Sequence, residues 1–319
     1  MSAPRDHGGG IDAAAVKYGG ARSDWLDLST GINPVPYPVG GLSPQVWTEL
    51  PDVGATERFH SAARAFWSIP DGVGVLAAPG ASALIARLPQ VLGNTGRAFI
   101  APPTYNEWEA AFRLSGWTAA HSLEGADAAI HVHPNNPDGA LAPDANMMPT
   151  RFAIYDESFA DAVQAPISQV PATSDARVVV LKSFGKFWGL AGVRLGVLIG
   201  ASELLERMAE ALGPWPVSGP ALALGARALS NTEWVTSTRD RLVQDSARLD
   251  MLLRPYCDTP QGTTLFRLYA FEEAQAVHTH LAKARVWTRV FPYNPHWIRL
   301  GLPGSEENWA RLEAALESF

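Results

Sequence analysis

Cysteine is almost absent from this chain of 319 residues, in which Cys257 is the single example. One cysteine excludes an internal disulfide framework and is typical of a reducing compartment. Uninterrupted apolar runs long enough to cross a bilayer are also missing. The first ten residues, MSAPRDHGGG, lack the apolar core of a signal peptide. We therefore expect a cytoplasmic protein with no membrane partner.

Basic charge is scarce as well. The chain has 25 Lys and Arg against 32 Asp and Glu, a net charge of -7, and no basic cluster. Proteins that bind nucleic acid more often carry a basic face, so no nucleic-acid partner is expected. At 47% hydrophobic and 18% charged residues, the composition is that of a globular protein of one or two domains.

The middle of the chain alternates short apolar runs with helix-period patterns. This alternation predicts an α/β fold in which helices cover both faces of a sheet. The predicted strands are 74–78, 97–101, 128–133, 152–155, 178–181 and 195–199. The predicted helices are 81–92, 107–115, 202–212 and 221–228.

A different pattern follows a long charged helix predicted at 233–253. Strands at 264–271, 286–291 and 297–300, with helices at 274–284 and 306–317, predict a compact α+β module. We expect an N-terminal arm (1–40) that joins the small domain and the active site, a large cofactor-binding domain (41–230) and a small C-terminal domain (231–319).

The segment SFGKFWGLAGVRLG (183–196) is the most informative motif. It follows the apolar run 176–181 and presents a hydroxyl (Ser183), an amine (Lys186) and a guanidinium (Arg194). Such groups can hold a phosphate and form a covalent bond to a carbonyl. The combination indicates pyridoxal phosphate, whose aldehyde condenses with a lysine. No metal site is predicted.

Two further strand ends carry suitable groups. Gly80, Ala81 and Ser82 lie between a strand and a helix, where backbone N–H groups form an anion site. Asp156 ends the strand RFAIYD, thirty residues before Lys186. A carboxylate there keeps the pyridine nitrogen of the cofactor protonated, although helix capping is the ordinary role of such an aspartate.

The lysine segment resembles that of fold-type I pyridoxal-phosphate enzymes, in which a hydroxyl residue lies three positions before the lysine and an arginine eight after it. The resemblance implies a large domain with a mostly parallel sheet and a smaller α+β domain, usually in a homodimer. It implies that Asn136, in HPNNPDG, donates to the phenolic oxygen of the cofactor and that Trp108 stacks on its ring. It also implies that Arg299, in HWIRLG, binds the substrate carboxylate, with Arg289 as a second anion ligand.

The chain departs from that family at two positions. Phe159 stands where many relatives carry a tyrosine, and Leu50 where a tyrosine often reaches the phosphate in the partner subunit. We therefore expect cofactor binding to depend more on Ser82, Ser183 and Arg194.

The N-terminal segments DHGGGIDAAAVKYG and DWLDLSTGINPVPYP resemble those of L-threonine-O-3-phosphate decarboxylases of cobalamin biosynthesis. Phe159 and the PWPVS segment at 214–218 also fit that branch. The resemblance implies decarboxylation of a phosphorylated amino acid, to 1-amino-2-propanol phosphate, with Lys186 and Asp156 as catalytic residues. His7, Asn33 and Arg289 become candidates for binding the substrate, beside Arg299.

Two alternatives remain open. An aminotransferase of the histidinol-phosphate type uses the same residues, but it aligns the Cα–H bond for cleavage in place of the bond to the carboxylate. A regulatory ligand-binding protein can also be built on an aminotransferase-like domain, but such regulators carry a DNA-binding module before it. Here about forty Gly- and Pro-rich residues precede the large domain.

Overall fold

The computed structural model describes residues 7–93, 95–257, 260–317 and 319. The chain divides into two units. The small unit comprises Met1–Val35, Pro137–Gly139 and Ser237–Phe319, and the large unit comprises Pro36–Asn136 and Ala140–Thr236. The N-terminal arm, as far as Val35, thus belongs to the same unit as the C-terminal quarter of the chain.

The described helices are α1 (Ile11–Tyr18), α2 (Gln45–Thr48), α3 (Val53–Trp67), α4 (Ala81–Leu92), α5 (Asn106–Leu114), α6 (Ser202–Leu212), α7 (Gly219–Leu229), α8 (Thr232–Leu253), α9 (Ala274–Lys283) and α10 (Glu306–Glu317). Within the described ranges, none of them is long and apolar enough to span a membrane. The helices α1, α2 and α3 were not expected from the sequence.

The described strands are β1 (Leu26–Asp27), β2 (Gly74–Ala78), β3 (Arg97–Ile100), β4 (Thr118–Ala119), β5 (Ala128–Val132), β6 (Phe152–Asp156), β7 (Val178–Ser183), β8 (Gly196–Gly200), β9 (Gln261–Thr263), β10 (Phe266–Ala270), β11 (Val286–Trp287), β12 (Arg289–Phe291) and β13 (Asn294–Gly301).

A seven-stranded sheet in the order β2-β8-β7-β6-β5-β3-β4 forms the large unit. Its pairings are parallel except those of β8, which runs antiparallel to both β2 and β7. The expected mostly parallel sheet is therefore confirmed. Since β2 and β7 both oppose β8, the carboxyl ends of β2, β5, β6 and β7 share one edge, where ligands bind in sheets of this kind.

The central strands are buried on both faces. Val178, Val179, Val180 and Leu181 in β7 are at most 1% exposed. Their continuous apolar run is what a strand covered by helices on both faces requires. The run therefore fixes β7, and with it Ser183, as an internal element of the sheet.

The small unit contains an antiparallel sheet in the order β12-β13-β10-β9 and a parallel pair of β1 with β11. The expected single strand at 286–291 is wrong, because the chain changes partners at Thr288. Before this residue β11 pairs with β1, and after it β12 pairs with β13. The hydroxyl of the buried Thr288 is bonded to Nδ1 of His278 at 2.8 Å, which holds the break in place.

A group of three buried charged side chains, Lys182, Glu157 and Asp161, lies next to the edge of the sheet that holds the carboxyl ends of β6 and β7. We call it the buried ion group, and we call that edge the ligand edge. The Nζ of Lys182, 1% exposed, is 2.6 Å from Oε2 of Glu157 and 3.2 Å from Oδ1 of Asp161. The indole N–H groups of Trp67 and Trp188 donate to Asp161 at 2.9 and 3.2 Å. Burial lowers the pKa of Lys182, but the two carboxylates outweigh it and the net shift is upward. The amine is therefore held as a cation.

Replacing Lys182 with Met should destabilise the protein strongly, because two buried carboxylates would then share no cation. We expect the free energy of unfolding to fall by about 3–5 kcal/mol, measured by urea denaturation followed by fluorescence. The exposed Lys283→Met variant is the control and should change the stability by less than about 0.5 kcal/mol. Equal stabilities of the two variants would contradict the role of the ion group.

Candidate active site

A cavity of about 130 Å³ opens at the ligand edge of the large unit. Seven of the residues that the sequence analysis predicts to bind the cofactor line this cavity. They are Ala81, Ser82, Asn136, Asp156, Ser183, Lys186 and Arg194. The sheet therefore gathers groups that are up to 113 residues apart in the chain, from Ala81 to Arg194.

One end of the cavity is built to hold an anion. Gly80 caps the N-terminus of α4 with a φ of 86°, a backbone conformation that favours glycine. A Cβ at Gly80 would lie 2.5 Å from Nη2 of Arg194, and one at Gly196 would lie 2.5 Å from the backbone nitrogen of Ala81. These two glycines allow the guanidinium and strand β8 to approach the helix start. Helix N–H groups beside a guanidinium are a favourable environment for a phosphate.

Lys186 lies in the turn that follows β7. Its Nζ is 5.4 Å from the ring centre of Phe159, so the amine lies over an aromatic face. Phe159 is 5% exposed and also lines the cavity. The position that carries tyrosine in many relatives therefore contributes a cation–π contact to the lysine rather than a hydroxyl.

Asp156 carries a buried carboxylate at the end of β6, 3% exposed. Its Oδ1 accepts from the backbone N–H and the hydroxyl of Ser158, at 3.1 and 2.5 Å. Burial raises the pKa of Asp156, while these bonds, the bond from Trp108 and the charge of Lys186 oppose the rise. A cation placed against this carboxylate would recover the cost of its desolvation.

Trp108, which is expected to stack on the ring of the cofactor, lies against Asp156. The side chain is 0% exposed, and its Nε1 donates to Oδ2 of Asp156 at 3.0 Å. Trp108 therefore holds the carboxylate in this structure, and its stacking on a ligand stays a prediction. Tyr105, three residues earlier, lines the cavity and presents the aromatic group there.

Two adjacent asparagines have separate tasks. Asn135 accepts from the hydroxyl of Thr104 at 2.7 Å and donates to the carbonyl of Pro103 at 2.8 Å, which joins the loop after β5 to the loop after β3. Asn136 lines the cavity. Of the two asparagines, Asn136 is therefore the one that the structure places at the cavity, and its bond to the cofactor stays a prediction.

Sequence reasoning missed Tyr105 and Ser158. The spacing of Asp156 and Ser158 is a signal that could have identified the second, because a hydroxyl two residues after an aspartate commonly bonds back to its carboxylate. No comparable pattern separates Tyr105 from Trp108, since the loop path decides which ring faces the cavity.

The predicted substrate residues lie in the small unit, where two arginines are paired across strands. Arg289 of β12 is the register partner of Arg299 of β13. Arg299 is 5% exposed, and burial together with the charge of Arg289 lowers its pKa to about 10. Like charges placed opposite each other destabilise a sheet. An anion bound here would offset that repulsion.

The other two candidates border this pair differently. The carbonyl oxygen of the exposed His7 accepts from Nη1 of Arg289 at 2.6 Å. Asn33 is 2% exposed, and its Oδ1 accepts from the backbone N–H of Val35 at 3.1 Å and from Nη2 of Arg241 at 2.7 Å. These bonds direct the amide of Asn33 so that only its NH₂ group can serve as a further donor.

The groups around the cavity fit pyridoxal phosphate. An amine, a carboxylate, an amide, a guanidinium and four hydroxyls are present, and they match the carbonyl, ring and phosphate of that molecule. In the part of the chain that the structure describes, no group of three His, Cys, Asp or Glu is placed to hold a metal ion.

Comparison with known proteins agrees with this chemistry. A threonine-phosphate decarboxylase from Pseudomonas aeruginosa is 36% identical, over 98% of each chain. A histidinol-phosphate aminotransferase from Legionella pneumophila is 27% identical over 58% of this chain and 54% of its own.

The fold and the family follow from two further matches. The crystal structure of a histidinol-phosphate aminotransferase from Sinorhizobium meliloti in complex with pyridoxal-5'-phosphate superposes with a TM-score of 0.78 at 17% identity, covering 99% of this chain and 95% of that one. The family model of the class I and II aminotransferases matches residues 41–316. The chain therefore belongs to the class I and II aminotransferase family.

Proposed function

We propose that this protein is a pyridoxal-phosphate-dependent decarboxylase of L-threonine O-3-phosphate. The observation that carries the proposal is the near full-length similarity to a threonine-phosphate decarboxylase, at 36% identity. The paired arginines of the small unit support it, because the substrate has two anionic groups. The similarity to a histidinol-phosphate aminotransferase is lower and covers little more than half of the chain.

When bound, pyridoxal phosphate supplies a carbonyl for amines and a ring that accepts the electron pair of a broken bond at Cα. Lys186 would bind the carbonyl. Arg194, Ser82 and Ser183, with the N-terminus of α4, would hold the phosphate. Asp156 would keep the proton on the ring nitrogen, and Asn136 would donate to the ring oxygen. Tyr105 would cover the ring face and exclude water.

The substrate residues hold the two anionic groups. Arg299 binds the carboxylate through its guanidinium, and Arg289 and His7 bind the phosphate with the help of Asn33. The bond to be broken would be the one between Cα and the carboxylate carbon, which leaves as CO₂. The ammonium form of Lys186 would deliver the proton that takes its place at Cα. The products are CO₂ and 1-amino-2-propanol phosphate.

A homodimer and a cytoplasmic location complete the proposal. In the large unit, Trp47, Leu50 and Val53 are 67%, 66% and 73% exposed. They follow one another at the border of a cavity of about 480 Å³ that Leu50, Val46 and Leu222 help to line. Exposed apolar side chains so close together are typical of a protein interface. The single Cys257 supports a reducing compartment.

The decisive test of the reaction is the identity of its products. With L-threonine O-3-phosphate as sole substrate, we expect the holoenzyme to release CO₂ and form 1-amino-2-propanol phosphate in equal amounts, measured by mass spectrometry. The Lys186→Ala variant should lose the visible absorption of lysine-bound cofactor and at least about 10³-fold in rate. Formation of a 2-oxo acid, with transfer of the amino group, would establish the aminotransferase instead.

The Trp108→Phe substitution should weaken cofactor binding. Without the indole N–H, the raised pKa of Asp156 rises further, and the protonated form prevails to a higher pH. We expect the dissociation constant of pyridoxal phosphate to increase about tenfold, the value of one hydrogen bond to a charged group. As the pH is lowered, the Trp108→Phe variant should lose its affinity for pyridoxal phosphate at a higher pH than the parent protein does.

The matched control is Trp117→Phe, which removes an indole N–H that donates to the carbonyl of Gly93 at 2.7 Å in the same unit. Its cofactor affinity should stay within about twofold of the parent value. If both variants bind the cofactor equally well, Trp108 does not act through Asp156.

The Leu50→Glu substitution should convert the dimer to a monomer, because a carboxylate would be buried in the interface. Light scattering after size-exclusion chromatography measures the mass of the particle. The control is Leu114→Glu, on α5, where the leucine is 74% exposed. A parent protein that is monomeric at micromolar concentration would contradict the proposed dimer.

A further inference from the structure

Ser29 occupies a junction in the small unit. It is 1% exposed and follows β1. Both its backbone N–H and its hydroxyl are bonded to Oδ1 of Asp27, at 2.9 and 2.6 Å. Because a carboxylate only accepts, the hydroxyl must donate to Asp27, and its oxygen remains available as an acceptor.

That oxygen binds the segment 7–9, the part of the N-terminal arm that we call the His7 arm. The backbone N–H of Gly9 donates to Oγ of Ser29 at 2.7 Å. At Gly8, an added Cβ would lie 2.5 Å from the carbonyl oxygen of Ser29, so the arm crosses this residue with no room for a side chain. The glycines of the His7-Gly8-Gly9 motif thus have a steric and a conformational task, since Gly9 has a φ of 89°.

The same residue holds the guanidinium of Arg299. Nη2 of Arg299 donates to the carbonyl oxygen of Ser29 at 2.6 Å. Two more bonds hold the arm in the small unit: Nη1 of Arg289 on β12 donates to the carbonyl of His7 at 2.6 Å, and Nε1 of Trp287 on β11 donates to that of Gly9 at 2.9 Å. Ser29 therefore connects the arm and one arginine through two different atoms.

We propose that Asp27 and Ser29 are positioning residues that fix the distance between the His7 arm and Arg299, and thereby set the affinity for a substrate with two anionic groups. This inference rests on the proposed function. Neither residue needs to touch the substrate. Asp27 orients the hydroxyl of Ser29, and Ser29 holds both the arm and the guanidinium.

Loss of the hydrogen bonds of Asp27 and Ser29 should weaken substrate binding and leave the rate of the chemical step and the affinity for the cofactor unchanged. The lysine, the carboxylate and the phosphate site belong to the large unit, whereas the junction lies entirely in the small unit. A change that raises KM with kcat unchanged marks the loss of uniform binding.

The test uses holoenzyme with L-threonine O-3-phosphate and three variants: Ser29→Ala, Asp27→Ala and Asp27→Asn. Ser29→Ala and Asp27→Ala should raise KM by about tenfold or more and change kcat by less than about threefold. Asp27→Asn keeps the Oδ1 acceptor and should restore KM to within about threefold of the parent value. Comparison of the two Asp27 variants isolates the hydrogen bond, because both lose the charge.

The dissociation constant of pyridoxal phosphate, measured on the apoprotein, should be the same for all three variants. Ser246→Ala is the matched control, since it removes a hydroxyl that is 8% exposed in the same unit and donates to the carbonyl of Val243 at 3.0 Å. Its KM should stay at the parent value.

Unchanged KM in Ser29→Ala and Asp27→Ala would overturn the inference. A fall in kcat or cofactor affinity as large as the rise in KM would also overturn it, because it would show a general structural role. If the parent enzyme itself releases no CO₂ from L-threonine O-3-phosphate, the proposed function fails and this inference fails with it. That result is distinguishable, because it is seen before any residue is changed.

Discussion

The buried ion group of Lys182, Glu157 and Asp161 is the interaction on which the large unit depends. Glu157 directly follows Asp156, and Lys182 directly precedes Ser183, so the charges lie one residue from two cavity groups. The hydroxyl of Ser168 and the backbone N–H of Gln169 satisfy Glu157 at 2.7 and 2.5 Å. Since charges in a protein interior are tolerated only when paired and hydrogen-bonded, the group joins β6, β7 and the loops around them in one arrangement.

Each unit carries a distinct part of the chemistry. The large unit provides an amine, a carboxylate and an anion site around one cavity. Enzymes that use pyridoxal phosphate for different reactions share this set of groups. The small unit provides two arginines and an N-terminal arm, to which the proposed function assigns the binding of the substrate. Specificity within such a family can therefore change through the arm and the arginine strands while the cavity stays the same.

Much of the large unit could be predicted from sequence, because its signals are local. Continuous apolar runs identified the buried strands, and Lys186, Asp156 and Asn136 follow such strands at positions that the sheet brings together. Helix α3 was missed because Gly54, Thr56 and a mixed polar pattern hide its periodicity, whereas its cap, Asp52, accepts from Ala55 N–H at 2.7 Å. The choice between Tyr105 and Trp108 could not be made, since it depends on the path of a loop. The partners of Lys182 were equally hidden, because they come from a neighbouring strand and the turn after it.

The reversed strand β8 has a consequence for the lysine loop. Ser183, the last residue of β7, is the register partner of Gly196, the first residue of β8. The backbone bond from Phe184 to Leu195, at 3.0 Å, closes the loop just above that pair. Lys186 and Arg194 thus lie in a single loop whose two ends are joined by the pairing of β7 with β8. The spacing between Lys186 and Arg194 is set by this closed loop, so changes of length elsewhere in the chain leave it unchanged.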